Sequence, residues 1–235
     1  MAPGGETDVS VSDGASNFQA GLEALKRRGS ALLVVGSVPT EMYSRASAQM
    51  LGAPDEPRRR LLVVNKTTAV EQRLESSIKR SAEWTRTIRY SAHARSSVAA
   101  SSFSSPLPTA TERHVDGGLG KLGAEISGDI EDFATLSQCL SPAELRVAFD
   151  CLPSLLSEYE LNQVFRFLHV VTSHVRAHHG MIHVWSPGDR TSEVNRMLEP
   201  LFDAVVELSV EGSEPRQRWH LKDANVSSGW FPLNR

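Results

Sequence analysis

Two unbroken apolar runs frame the chain: "ALLVV" at 31–35 and "RLLVVN" at 60–65. A strand that alternates apolar and polar residues is dry on one face. A strand apolar throughout is dry on both, as in parallel sheets covered by helices. Between the two runs, residues 40–51 carry helical spacing and stop at Gly52, before the turn "APDEP" at 53–57. After the second run, "AVEQRLESSIKR" (69–80) is helical again. This β-α-β-α alternation argues for an α/β fold with a mostly parallel sheet flanked by helices.

The remaining pattern extends that frame. "SNFQAGLEALKRRGS" predicts a short helix from Ser16, with Phe18, Leu22 and Leu25 on one face and Gly29 ending it. "TIRYS" (87–91) fits a short strand, 117–136 a helix, and "LRVAFD" (145–150) a third buried strand. Residues 155–179 form one long helical pattern, followed by the strand "MIHVWS" (181–186) and a helix over 191–202. The segments 203–212 and 215–223 predict an antiparallel C-terminal hairpin, with Trp219 and Trp230 packed in that region. Residues 1–15 are small and polar and predict a disordered tail. The Ser- and Pro-rich stretch over 94–113 predicts a mobile loop. A single domain over 16–235 follows.

Composition removes some function classes. Of 235 residues, 40% are apolar and 23% charged, and the net charge of −3 offers no global attraction to nucleic acid or an acidic membrane. Cys139 and Cys151 form no CxxC pair, which suits a reducing compartment. The N-terminus lacks the basic start and apolar core of a signal peptide. No apolar run approaches the ~20 residues of a membrane span. A cytoplasmic location is expected.

Candidate chemistry sits where the first strand ends. Gly36, Ser37, Val38, Pro39, Thr40, Glu41, Met42 and Tyr43 occupy the frame of a phosphate-binding loop, G-x-x-x-x-G-K-[ST]. The second glycine is Glu41, the lysine is Met42, and the metal-side hydroxyl residue is Tyr43. Glu41 places a carboxylate where a helix N-terminus would attract an anion. Met42 has no charge, and Pro39 removes one backbone N–H from the cradle. The strand "LRVAFD" ends in Asp150, the position of an acid that orients Mg²⁺ through water.

The stretch "LRVAFDCLPSLLSEYELNQVFRFLHVVTSHVRAHHGMIHVW" and the end "LFDAVVEL…SGWFPL" resemble the RecA-like P-loop ATPases, and within them the archaeal KaiC-like branch. The similarity spans residues 18–233. "LKRRGSALLVVGSVP" and "MLGAPDEPRRRLLVV" resemble a haloarchaeal family of RecA-like proteins. In KaiC-like ATPases a pair of glutamates follows the second strand and activates water. By that resemblance the pair falls here on Thr67 and Thr68, whose hydroxyls are no general base near neutral pH, with Glu71 a helical turn further on. The resemblance therefore implies a pseudo-ATPase: a non-catalytic domain that binds no cofactor and serves as a regulatory or scaffolding partner. RecA-like domains associate side by side, which implies a protein partner or a homo-oligomer. One alternative is a weak ATPase or nucleotide sensor, taking ATP and Mg²⁺ with Asp150 and an unorthodox lysine, Lys66 or Lys121.

Other patterns carry less. Arg58, Arg59 and Arg60 precede a strand and Lys26, Arg27 and Arg28 end a helix. Together they raise a DNA-associated recombination accessory as a third reading, though aromatic interleaving is missing. "DGGLGKLG" (116–123) has glycines and a lysine, but Val115 stands where the first glycine belongs. His169, His174, His178, His179 and His183 cluster in sequence. His174 and His178 share a helix face, but spacing places no third ligand, so no metal is assigned. Rebuilding the loop with Glu41→Gly, Met42→Lys and Tyr43→Thr is expected to restore nucleotide affinity without hydrolysis, unless Met42 and Tyr43 have become core.

Overall fold

The computed structural model describes residues 8–66, 68–70, 73–74, 81, 83–91 and 111–233, with side chains from residue 16 onward. The chain begins with helix α1 (Asp8–Arg28), then strand β1 (Ser30–Gly36), helix α2 (Thr40–Leu51) and strand β2 (Arg59–Asn65). Strands β3 (Thr85–Ser91) and β4 (Glu112–Asp116) follow, then α3 (Leu119–Leu136) and β5 (Leu145–Phe149). Helices α4 (Leu152–Glu158) and α5 (Leu161–Ala177) lead to β6 (Met181–Pro187) and α6 (Glu193–Leu198). A short 3-10 turn (Glu199–Leu201) precedes β7 (Ala204–Glu211), β8 (Glu214–Leu221), β9 (Val226–Ser227) and β10 (Phe231–Pro232).

One sheet joins all the described strands in the order β10-β8-β7-β1-β6-β5-β2-β3-β4, with β9 also on β8. From β7 across to β4 every pairing is parallel, while β8 pairs antiparallel with β7, β9 and β10. The expected parallel sheet with an antiparallel C-terminal hairpin is what the chain forms.

The unbroken apolar runs are explained by burial on two faces. Ala31, Leu33 and Val35 of β1 point to one side and pack with Leu122, Ile126, Ile130 and Phe133 of α3 and Val164, Leu168, Val171 and Val175 of α5. Leu32 and Val34 point to the other side and meet Leu25 of α1 and Met42, Tyr43, Ala46 and Met50 of α2. The side-chain period of two makes this split unavoidable. Each fully buried Val or Leu contributes about 1.5–3 kcal/mol, so β1 holds both layers together.

Several boundaries differ from the sequence reading. Helix α1 starts at Asp8, ahead of Ser16. The long pattern over 155–179 is two helices: Glu160 caps α5 in a reciprocal capping box with Gln163, and the chain is extended at Tyr159. The expected loop over 94–113 ends earlier than read, because Glu112 and Arg113 already belong to β4, an edge strand in which only Val115 is buried, while 94–110 lie outside the described residues. Most of the expected helix 69–80 lies outside them too, but Arg73 and Leu74 are described and buried.

Candidate functional site

The site is built where β1, β5 and β6 end. Gly36 closes β1 with φ +142°, and a Cβ there would stand 2.3 Å from the Leu208 carbonyl oxygen of β7, so only glycine fits. Gly36 N–H donates to the Gly188 carbonyl at 2.9 Å, which ties the loop to the end of β6. Ser37, Pro39, Thr40 and Glu41 are exposed, and Val38 is half-buried. Helix α2 starts at Thr40 without a side-chain cap.

Met42 and Tyr43 point the other way, into the protein. Met42 is 6% exposed and packs in the core formed by Val34, Val206 and Leu208. Tyr43 is 2% exposed and stacks on Trp185 of β6, with ring centroids 4.2 Å apart and planes 21° off parallel. Met42 and Tyr43, the positions compared in sequence with the lysine and hydroxyl residue of a phosphate-binding loop, are thus core residues.

The Tyr43 hydroxyl reaches across to Asp150 and donates to Oδ1 of its carboxylate. The other carboxylate oxygen forms an ion pair with Nη1 of Arg73, without the geometry of a hydrogen bond. That guanidinium also lies 4.8 Å from the Tyr43 ring centroid, in cation–π range. All three side chains are buried. Asp150 is placed by the parallel ladder, its N–H donating to the Val63 carbonyl at 2.8 Å, and Asn65 Nδ2 donates to its carbonyl at 3.4 Å. Both carboxylate oxygens that a water-bound Mg²⁺ would need are therefore occupied from within the chain.

Electrostatics reinforce this closure. Burial raises the Tyr43 phenol to about 12, so it stays a proton donor to Asp150. Burial, opposed by Arg73, raises the neighbouring Cys151 thiol, which is therefore not a nucleophile. His183 of β6 is 2.8 Å from Ser47 Oγ through Nε2, and burial, with Arg73 and Arg146 nearby, lowers it to about 3. It is a neutral imidazole inside the core.

Beside Gly36 and Ser37 lies an open polar cavity of about 330 Å³, lined also by Asp189, Arg190, Glu207, Ser209 and Trp230. Its cation, Arg190, is paired with Glu199 at 2.5 Å, and Asp189 and Glu207 add carboxylates to the wall. Glu207 is itself paired with Arg218 and His220, so the residues of this wall offer a polyphosphate no unpaired cation.

The other sequence candidates are dispersed. Lys66 pairs with Asp116 at 2.9 Å, and Lys121 donates to the Asp116 carbonyl at 3.2 Å, so both lysines gather on the edge beside β4. Thr68 is half-buried, and its carbonyl accepts from Arg89 at 2.8 Å; Thr67 and Glu71 lie outside the described residues. Arg59 and Arg60, read as possible nucleic-acid contacts, are buried. Arg59 pairs with Glu144 and covers the Trp84 ring, and Arg60 donates to the carbonyls of Leu51, Gly52 and Ala53 that end α2. Arg73 and Trp185 are the site residues that sequence reasoning missed, and His183, grouped there with the other histidines, lies instead in the core against Ser47. Arg73 sat in an amphipathic pattern with nothing to mark its partner, whereas an aromatic and a histidine inside the apolar strand "MIHVWS" did hint at an internal polar contact.

The profile of a family described as a family of unknown function (DUF7504) matches residues 29–208. The chain belongs to that family. The matched stretch runs from before β1 into β7, so the family's extent includes the Gly36 loop, Tyr43, Arg73, Asp150 and Trp185. No curated protein matches the chain. No helix among the described residues is long and apolar enough to cross a membrane.

Proposed function

We propose that this chain is a non-catalytic, RecA/KaiC-like domain that works through protein contacts, as a regulatory or scaffolding partner. The observation that carries the reading is the Tyr43–Asp150–Arg73 cluster. A strand–loop–helix frame and an acid-terminated strand remain, yet the acid's two oxygens are taken by a phenol and a guanidinium. A nucleotide and its Mg²⁺ would have to displace both, and leave a buried arginine without its partner, at a cost of several kcal/mol. The loop itself supplies no cation to compensate. A homo-oligomer or a mixed assembly with an active relative is the expected working form. A cytoplasmic location accords with the two free cysteines.

The test is calorimetric titration of the full chain with Mg-ATP, with phosphate release followed in parallel. The reading expects neither heat nor turnover at millimolar nucleotide. Binding with a micromolar dissociation constant overturns it and supports a nucleotide sensor instead.

A further inference from the structure

Helices α3 and α5 each return to the start of a parallel strand, β5 and β6, so they run in the same direction and pack together. Their C-terminal ends therefore lie side by side. Glu131 sits near the end of α3, and His174 and His178 occupy the last turn and cap of α5. The i,i+4 spacing puts both imidazoles on one helix face. The fold then turns that face toward Glu131.

Glu131 Oε1 is 3.4 Å from His174 Nε2 and 3.2 Å from His178 Nε2. Zinc bonds of about 2.0–2.1 Å at tetrahedral angles set ligand atoms about 3.3–3.5 Å apart, close to these separations. All three ligand atoms lie within 4.8 Å of one another, and the broad χ2 torsion of histidine can close the remaining gap between the rings. Nε2 of His174 is buried and makes no hydrogen bond, meeting Glu131 Oε1 only at the ion-pair distance of 3.4 Å. The converging carbonyl ends of two helices add partial negative charge, which favours a cation.

We propose that Glu131, His174 and His178 form a binding site for a divalent transition ion of the zinc class, which clamps the ends of α3 and α5. Two imidazoles and one carboxylate suit zinc, cobalt or nickel better than calcium or magnesium. Glu131 is exposed, so a fourth ligand comes from solvent.

The test uses the full chain without a histidine tag. Zinc is titrated by calorimetry, and cobalt by visible absorption, which reports tetrahedral coordination. One saturable ion per chain is expected, with a melting point that rises on adding zinc. Glu131→Gln, His174→Ala and His178→Ala should each weaken binding by at least about tenfold. His169→Ala, on the same helix but outside the cluster, should leave it unchanged. Glu131→Gln keeps the side-chain shape and so guards against a loss that is merely misfolding. No saturable binding at submillimolar zinc, or binding indifferent to the three cluster substitutions, overturns the proposal.

Discussion

Tyr43 donates its hydroxyl to Oδ1 of Asp150 and so joins the first turn of α2 to the end of β5. Two kinds of loss can be separated at this contact. Tyr43→Phe keeps the stack on Trp185 but leaves one buried carboxylate oxygen unpaired, at a cost of about 1–3 kcal/mol. Asp150→Asn removes the charge and strands the Arg73 guanidinium in the core, at a cost of about 3–5 kcal/mol. Urea unfolding should rank the two variants in that order. A neutral or stabilising Asp150→Asn would mean that Arg73 is not paired with Asp150 in solution.

His183 sets an acid limit on stability. Its folded value is lowered to about 3, while an unfolded histidine titrates near its ordinary value of about 6.5. Between those limits the unfolded chain binds the extra proton, so stability rises with pH. It should therefore fall by up to about 1.4 kcal/mol per unit as pH drops below about 6.5. His174 is shifted in the same direction and adds to the slope. His183→Gln, which retains a partner for Ser47, should flatten the profile between pH 6.5 and 5. An unchanged slope in that variant would place the titrating group elsewhere.

Legibility in the sequence followed the range of the forces involved. Strand β1 and helix α2 were readable almost to the residue, because a run buried on both faces and a 3.6-residue period are local patterns. Strand β4 was not, since an edge strand with one buried valine leaves no period to read. The break at Tyr159–Glu160 was hidden because a capping box uses residues that also suit a helix interior. At the site, the sequence placed Glu41, Met42 and Tyr43 where a phosphate-binding loop would carry glycine, lysine and a small hydroxyl residue, and their burial or exposure followed only from the fold. The surroundings of Tyr43 were not readable, because Arg73, Asp150 and Trp185 meet it only through the sheet order.

Arg60 gives a test of the basic cluster before β2. Its guanidinium is buried and forks onto the carbonyls of Leu51, Gly52 and Ala53, where the negative end of the α2 dipole lies. Arg60→Lys keeps the charge but lacks the planar fork, leaving at least one of these carbonyls unpaired. A loss of about 1–3 kcal/mol is expected, seen as a melting point lower by about 2–4 °C per kcal/mol. If Arg60 instead served nucleic acid, the same variant would melt normally and lose only salt-sensitive DNA binding.

The last prediction concerns the loop after Gly36. Glu41→Gly, Met42→Lys and Tyr43→Thr together rebuild G-x-x-x-x-G-K-T on Gly36. From sequence, the substitution was expected to recover nucleotide affinity unless Met42 and Tyr43 had become core, and both are in fact buried. Met42→Lys would bring a charge into the space between Val34 and Val206, and Tyr43→Thr would leave a void against Trp185. The loss of the phenol would also leave Asp150 to Arg73 alone. Truncating one large buried aromatic already costs about 3–5 kcal/mol, so the triple variant should melt well below the parent. Because Arg73 still pairs with the carboxylate and the one cation of the adjoining cavity, Arg190, stays paired with Glu199, Mg-ATP should not raise that melting point. Thermal melting of parent and variant, each with and without Mg-ATP, decides the matter. A nucleotide-dependent rise confined to the variant would mean that the loop has kept its binding shape and lost only its ligands.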